Sequence, residues 1–294
     1  RDNNIMITRN IPYHTVVNAV KDLVIRIAYE LPGDVKQALR DAVGRESNPR
    51  AKHSLEQLIE NYRIAEAEKI PLCQDTGLAV AFVEWGTQTA ITPPHDKPDA
   101  TITDAINEGI ASGYKEGFLR KSVVAEPLNT RDNTNTNTPA VIHLTVVPGE
   151  HLRIWLMAKG GGCENKSQFR MFNPTEKKEV IAGWIVETAK NAGANACPPF
   201  VVGVGLGGDF EQCCLLSKKA LLRDIGSQHP QPFYAQMEKE LLQAVNASGL
   251  GPQGLGGDTT ALALFIETAP CHIASLPVAV NIECHSHRHG RITL

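Results

Sequence analysis

The sequence predicts a mixed α/β protein: β-sheets flanked by helices, with a helical N-terminal lobe over about 1–70 and an α/β body over about 71–294, together one domain. Three observations predict it. Apolar residues recur at helical spacing before residue 70, and short apolar runs alternate with helical patterns after it. Aromatics are sparse (5%) while Gly (24) and Pro (18) are plentiful, a composition that suits a loop-rich enzyme. At 294 residues and 42% hydrophobic content, the chain can bury one large core or two modest ones. No repeat or flexible linker forces a cut, and the one expected boundary lies near residue 70.

Val16, Val17, Val20, Leu23, Val24 and Ile27 mark a first helix, and Val35, Leu39 and Val43 a second. A third, over 48–69, carries Leu55, Leu58 and Ile59 on one face and is stopped by Pro71. The loop 71–77 leads into a strand over 78–83, and 86–100, rich in Thr and Pro, reads as a surface loop. A helix over 101–119 is followed by the polar loop 129–139. Runs 141–147 and 152–158 then flank Pro148-Gly149 and read as a hairpin. A glycine loop at 159–165 precedes a helix over 175–191, a loop at 195–199 and a strand over 200–205. Helices over 210–222 and 233–247, a glycine-rich stretch at 249–257, and strands over 261–267 and 276–282 complete the reading.

Net charge of −3 offers nothing to a nucleic-acid backbone or an anionic membrane. No apolar run approaches the roughly 20 residues a membrane helix needs. Arg1-Asp2-Asn3-Asn4 has no signal-peptide pattern, so a cytoplasmic location is expected. The seven cysteines are odd in number and far apart, which argues against a secreted disulfide framework and for reduced thiols.

Three of these thiols share a context. Cys73 lies between a helix stop and a strand, Cys197 precedes Pro198-Pro199 and a strand, and Cys284 follows the last strand. Element ends can direct side chains into a common cleft, so these three are candidate metal ligands, with ordinary thiols as the alternative. Cys213 and Cys214, beside Leu215 and Leu216 in a helix, read as small buried hydrophobes. Asp75, two residues past Cys73, is either an acid/base or the cap of its own turn. Gly160-Gly161-Gly162 allows close backbone approach to an anion, or is a plain tight turn. His285, His287 and His289 alternate and would share one face of an extended chain. With Cys271 and Cys284 they raise a zinc-stabilised module, against which stands the absence of CxxC or HxxxH spacing.

Five segments carry a family resemblance: Pro71-Leu72-Cys73-Gln74-Asp75-Thr76-Gly77, Lys159-Gly160-Gly161-Gly162-Cys163-Glu164-Asn165, Ala196-Cys197-Pro198-Pro199, Gly251-Pro252-Gln253-Gly254-Leu255-Gly256-Gly257 and Cys284-His285-Ser286-His287-Arg288-His289. In this order they resemble the signatures of class I fumarases and L-tartrate dehydratases, from about residue 50 to the end. The resemblance implies a [4Fe–4S] cluster on three cysteines, Cys73, Cys197 and Cys284, at loop ends facing a cleft. With three thiolates one iron is left open as a Lewis acid. The resemblance also implies substrate contact by Gln74, Asp75, Arg120, Gly161 and His272, with Asp75 handling the proton. The implied reaction is reversible hydration of fumarate to malate; L-tartrate dehydration and a non-catalytic iron–sulfur sensor are the alternatives. The Cys163 position is commonly Ser in fumarases and Cys in tartrate dehydratases, whereas Glu164-Asn165-Lys166-Ser167 and Met171 look fumarase-like. Cys163 is therefore a loop thiol or an extra ligand. The chain ends ten residues after Cys284, so a separate β subunit is expected to supply the remaining substrate-binding Lys and Arg and a proton-transferring Thr.

Overall fold

The structure, a computed structural model, describes residues 8–294; Arg1-Asp2-Asn3-Asn4, the segment without a signal pattern, lies outside them. In chain order, the first elements are β1 (Arg9–Pro12), α1 (Tyr13–Tyr29), α2 (Gly33–Arg45), α3 (Pro49–Glu68), β2 (Leu78–Gly86) and β3 (Thr89–Thr92). There follow α4 (Ile102–Glu116), β4 (Val141–Val147), β5 (Leu152–Lys159), α5 (Gly161–Glu164), β6 (Gln168–Phe172) and α6 (Lys178–Ala192). The last are β7 (Phe200–Gly207), α7 (Phe210–Ala220), α8 (Pro232–Asn246), β8 (Ala261–Ala269), β9 (Leu276–Glu283) and β10 (His289–Thr293). The mixed α/β class is as the sequence predicts. No helix among the described residues is long and apolar enough to cross a membrane.

The chain forms two compact units. The described part of the first is 8–31, Ala65–Lys159 and Arg288–Leu294; the second is Pro32–Ile64 and Gly160–His287. The helices expected as a lobe over about 1–70 are shared between them: α1 in the first, α2 and most of α3 in the second.

In the first unit a four-stranded sheet runs β10-β5-β2-β4. Leu152, Ile154, Leu156 and Ala158 of β5, with Ala79, Ala81 and Val83 of β2, alternate onto one face and join the apolar stripes of α1 and α4 in one core. The helix α4 starts on a capping box. Asp104 N–H donates to Thr101 Oγ1 at 3.3 Å, and Thr101 N–H to Asp104 Oδ2 at 2.8 Å. The hairpin expected of 141–147 and 152–158 does not form. Strand β2 lies between β4 and β5, parallel to one and antiparallel to the other. The turn at Pro148-Gly149 instead caps β2, with Thr87 N–H donating to Val147 O at 2.8 Å and Gln88 N–H to Gly149 O at 2.9 Å. The segment 86–100 is also not wholly loop, because β3 pairs in parallel with β1.

The second unit is built on the sheet β6-β9-β7-β8. Phe200, Val202 and Val204 of β7 face the core formed with α6 and α8 through Ile181, Ile185, Leu241 and Val245. Gly203 and Gly205 face the other way and receive α7. A Cβ at Gly205 would stand 2.1 Å from Cys213 O. The close approach of helix to strand therefore requires glycine there. As expected, Cys213 is buried and acts as a small hydrophobe. Its Sγ lies 3.2 Å from Gly205 O. Burial pushes its thiol up to about 12 and raises that of the half-buried Cys214 as well.

Candidate active site

In the first unit, the Cys73-Gln74-Asp75-Thr76-Gly77 loop is held from three directions. Thr76 Oγ1 donates to Arg120 O at 2.6 Å, Tyr114 Oη lies 2.8 Å from both Thr76 O and Gly77 O, and Asn137 Nδ2 donates to Gly77 O at 3.1 Å. Asn137 in turn accepts Ser122 N–H at 2.7 Å, fixing the segment that carries Arg120. The structure thus gathers Cys73, Gln74, Asp75 and Arg120, drawn from two distant stretches of sequence, around one loop. Gln74 and Arg120 are exposed; Cys73 and Asp75 are half-buried. Asp75 Oδ1 accepts Gly77 N–H at 3.0 Å. Asp75 therefore does cap its own turn.

The second unit holds Cys197, Cys284, Cys163 and Gly161. Cys197 is exposed and sits at φ 54° in the left-handed region. That conformation is sparsely populated by non-glycine residues and is often found at functional sites. The glycine-rich signature at 251–257 braces it: Gln253 donates to Pro198 O from its backbone N–H at 2.9 Å and from Nε2 at 2.7 Å. Gly254 has a positive φ, and a Cβ there would come 2.5 Å from Ala194 Cβ. Only glycine lets this loop lie against the Cys197 turn. His285 N–H donates to Cys197 O at 3.3 Å, which joins the Cys197 and Cys284 loops. The glycine loop reaches the same place, since a Cβ at Gly162 would stand 3.3 Å from Asn195 O.

Cys163, read as a loop thiol or an extra ligand, is buried, and its Sγ lies 3.9 Å from Glu283 Oε1. Cys284 Sγ is 3.8 Å from the same oxygen and 3.0 Å from Ser286 Oγ. Cys163, Glu283 and Cys284 offer ligand atoms within 4.8 Å of one another, a group that could hold a metal ion. In sequence Glu283 is merely the last residue of an apolar strand; only pairing and burial turn it toward the thiols.

One expectation does not materialise. The histidines 285, 287 and 289 do not share one face, because a turn at His285-Ser286 breaks the alternation and only His289 lies on a strand. Among the described residues, the group that could hold a metal contains none of them. His272 is exposed in the β8–β9 loop, its Nδ1 accepting Ala274 N–H at 3.1 Å. Cys284 follows the far end of β9.

Two buried cations of the first unit, Lys159 and Arg288, are also hidden in the sequence, although both lie inside the quoted signatures. Their only signal is a charged residue among strand, glycine or cysteine positions, which reads as ordinary surface until burial is known.

Known proteins show the same pattern along nearly the whole chain. A family model described as Fumarate hydratase (Fumerase) matches residues 17–293. A Methanocaldococcus jannaschii protein named "Putative L(+)-tartrate dehydratase subunit alpha" is 40% identical over 277 residues, covering 93% of this chain and 95% of that protein. The L(+)-tartrate dehydratase subunit alpha of Escherichia coli (strain K12) and that of Shigella sonnei (strain Ss046) are each 30% identical over 275 residues, covering 93% of this chain and 88% of theirs. With a family model spanning both units and relatives aligned almost end to end, the chain belongs to the fumarate hydratase (Fumerase) family.

Proposed function

We propose that this chain is the α subunit of an iron–sulfur hydro-lyase that reversibly hydrates fumarate to malate, with Cys73, Cys197 and Cys284 holding a [4Fe–4S] cluster. The observation that carries the reading is the family match over 17–293, read together with the joined Cys197 and Cys284 loops. The donor set fits the cofactor: sulfur ligands at element ends suit iron and sulfide and not a hard cation such as Mg²⁺. When bound, a cluster with three protein thiolates supplies an open iron that polarises a substrate hydroxyl or water.

The chain's own residues supply the rest. Asp75 is held by its turn beside Cys73 and takes or returns the proton on the carbon next to a carboxylate. Arg120 offers a planar fork to a carboxylate, and Gln74 a neutral amide. Gly161, exposed at the start of α5, lets substrate approach the backbone. His272, exposed in the β8–β9 loop, is a further proposed substrate contact that rests on the family resemblance. L(+)-tartrate is the second substrate reading, favoured by the names of the relatives at 40% and 30% identity. Those names, each a subunit alpha, also support a β subunit that completes the substrate site.

Anaerobic reconstitution, followed by iron and sulfide analysis and assays with fumarate, malate and L(+)-tartrate, tests the proposal. The expected chain binds four irons, loses them when Cys73, Cys197 or Cys284 becomes Ala, and turns over only with a β subunit added. Stoichiometric zinc without sulfide would replace this reading with a zinc module. A stable cluster whose spectrum ignores every dicarboxylate would replace it with a sensor.

A further inference from the structure

The Cys284-His285-Ser286-His287-Arg288-His289 signature enters the first unit at a buried cation, Arg288. Arg288 is 2% exposed, and its Nε and Nη1 have no hydrogen-bond partner. A guanidinium is always charged, and burying it with donors unmatched is costly, so folds seldom keep one without an anion to meet it.

Its location says which anion. Arg288 O accepts Ala158 N–H at 2.9 Å, and Ala158 pairs with Ala79 across β5 and β2. This lays Arg288 against the end of the sheet where the Cys73–Gly77 loop enters β2. Tyr114, whose hydroxyl is anchored on Thr76 O and Gly77 O, lies within electrostatic reach of both Arg288 and the Asp75 carboxylate. Lys159, also buried, closes β5 opposite Leu78 at the same sheet end. Although Asp75 lies at this loop, no acceptor meets Nε or Nη1 of Arg288, and these two donors call for a further anionic acceptor there.

We propose that Arg288 holds an anion at the Cys73-Gln74-Asp75 loop, donating from Nε–H and Nη1–H. The proposal rests on the hydro-lyase reading, under which two anionic acceptors arrive there: a carboxylate of the dicarboxylate substrate, or a sulfide of the cluster. Both accept from a guanidinium, and the experiment separates them.

The first arm compares melting of the cluster-free full chain with that of Arg288→Gln and Arg288→Met. An anion-holding arginine without its anion is a liability, so both variants should melt at or above the wild-type temperature. A merely structural arginine would lower it, and a fall in both variants overturns the proposal. The second arm uses anaerobically reconstituted chain with its β subunit. If the acceptor is the substrate carboxylate, Arg288→Gln keeps wild-type iron, sulfide and resting spectrum while KM for fumarate rises about 10–100-fold, with Arg288→Lys partly restoring it. If the acceptor is sulfide, the cluster's spectrum and iron retention change before any substrate is added. Iron content, spectrum, KM and kcat all unchanged in Arg288→Gln would overturn it. A wild-type chain that takes up no cluster defeats the hydro-lyase reading instead, and that result is visible before any variant is made.

Discussion

Exchanging Asp75 for Asn separates two roles of one carboxylate. In the structure Oδ1 accepts Gly77 N–H at 3.0 Å. An Asn side chain presents a carbonyl oxygen to the same donor, so the turn survives. What disappears is the negative charge and the ability to carry a proton. Lost acid–base catalysis lowers kcat by about 10²–10⁴, which at about 1.36 kcal/mol per decade is roughly 2.7–5.4 kcal/mol of barrier. Asp75→Ala removes the turn bond as well. That bond is worth about 1 kcal/mol net, or roughly 2–4 °C in melting temperature for a chain of this size. The two variants should therefore match in kcat and differ in stability, Asn melting like wild type and Ala below it. The assay is the change in fumarate absorbance by the reconstituted complex, with iron and sulfide measured on the same samples. An Asn variant within about threefold of wild-type turnover would refute the reasoning and leave Asp75 a turn residue. An Asn variant that loses its iron would refute it differently, assigning the defect to the neighbouring Cys73.

Glu238 should be a stability determinant of the second unit: Oε1 accepts from Arg223 Nη1 at 2.6 Å and Ile266 N–H at 2.8 Å, and Oε2 from His229 N–H at 3.2 Å. Glu238→Ala leaves a mostly buried guanidinium with only the longer Glu267 pair at 3.8 Å and Ile266 O at 3.2 Å, and should cost about 3 kcal/mol by denaturant titration, Glu238→Gln less; a loss below about 1 kcal/mol would contradict this. Alkylation of the folded, cluster-free chain should label the exposed Cys197 and Cys271 well before Cys213, as read by mass spectrometry of the digested protein. Because burial raises the Cys213 thiol to about 12, the fold binds that proton more tightly than the open chain. Stability from this site should fall as pH rises from about 8.5 toward 12, less so in Cys213→Ala.

Much of this was legible along the chain because it rests on local periodicity and residue type. The α1 stripe of Val16, Val20, Leu23, Val24 and Ile27 is buried as its spacing implied, and a thiol beside leucines in α7 proved to be core. The cysteines at element ends could be named because thiolate chemistry and chain punctuation are both visible in sequence. Strand partners could not be read in the same way. Runs 141–147 and 152–158 look the same whether they pair with each other or with β2, and β1, β3 and β10 are too short to leave a pattern.

By itself, then, the sequence determined the α/β class, most of the helices, the candidate thiols and the family resemblance, since each is encoded in neighbouring residues or in ordered motifs. Only the tertiary structure decided that β2 separates β4 from β5, that Glu283 and Cys163 meet at Cys284, and that His272 stands at the far end of its sheet. It also decided that Arg288 is buried with its donors unmatched. The physical reason is the same in each case. Burial and pairing are relations between segments distant in the chain, and whether a charge is solvated or stranded depends on what packs around it, not on its neighbours in sequence.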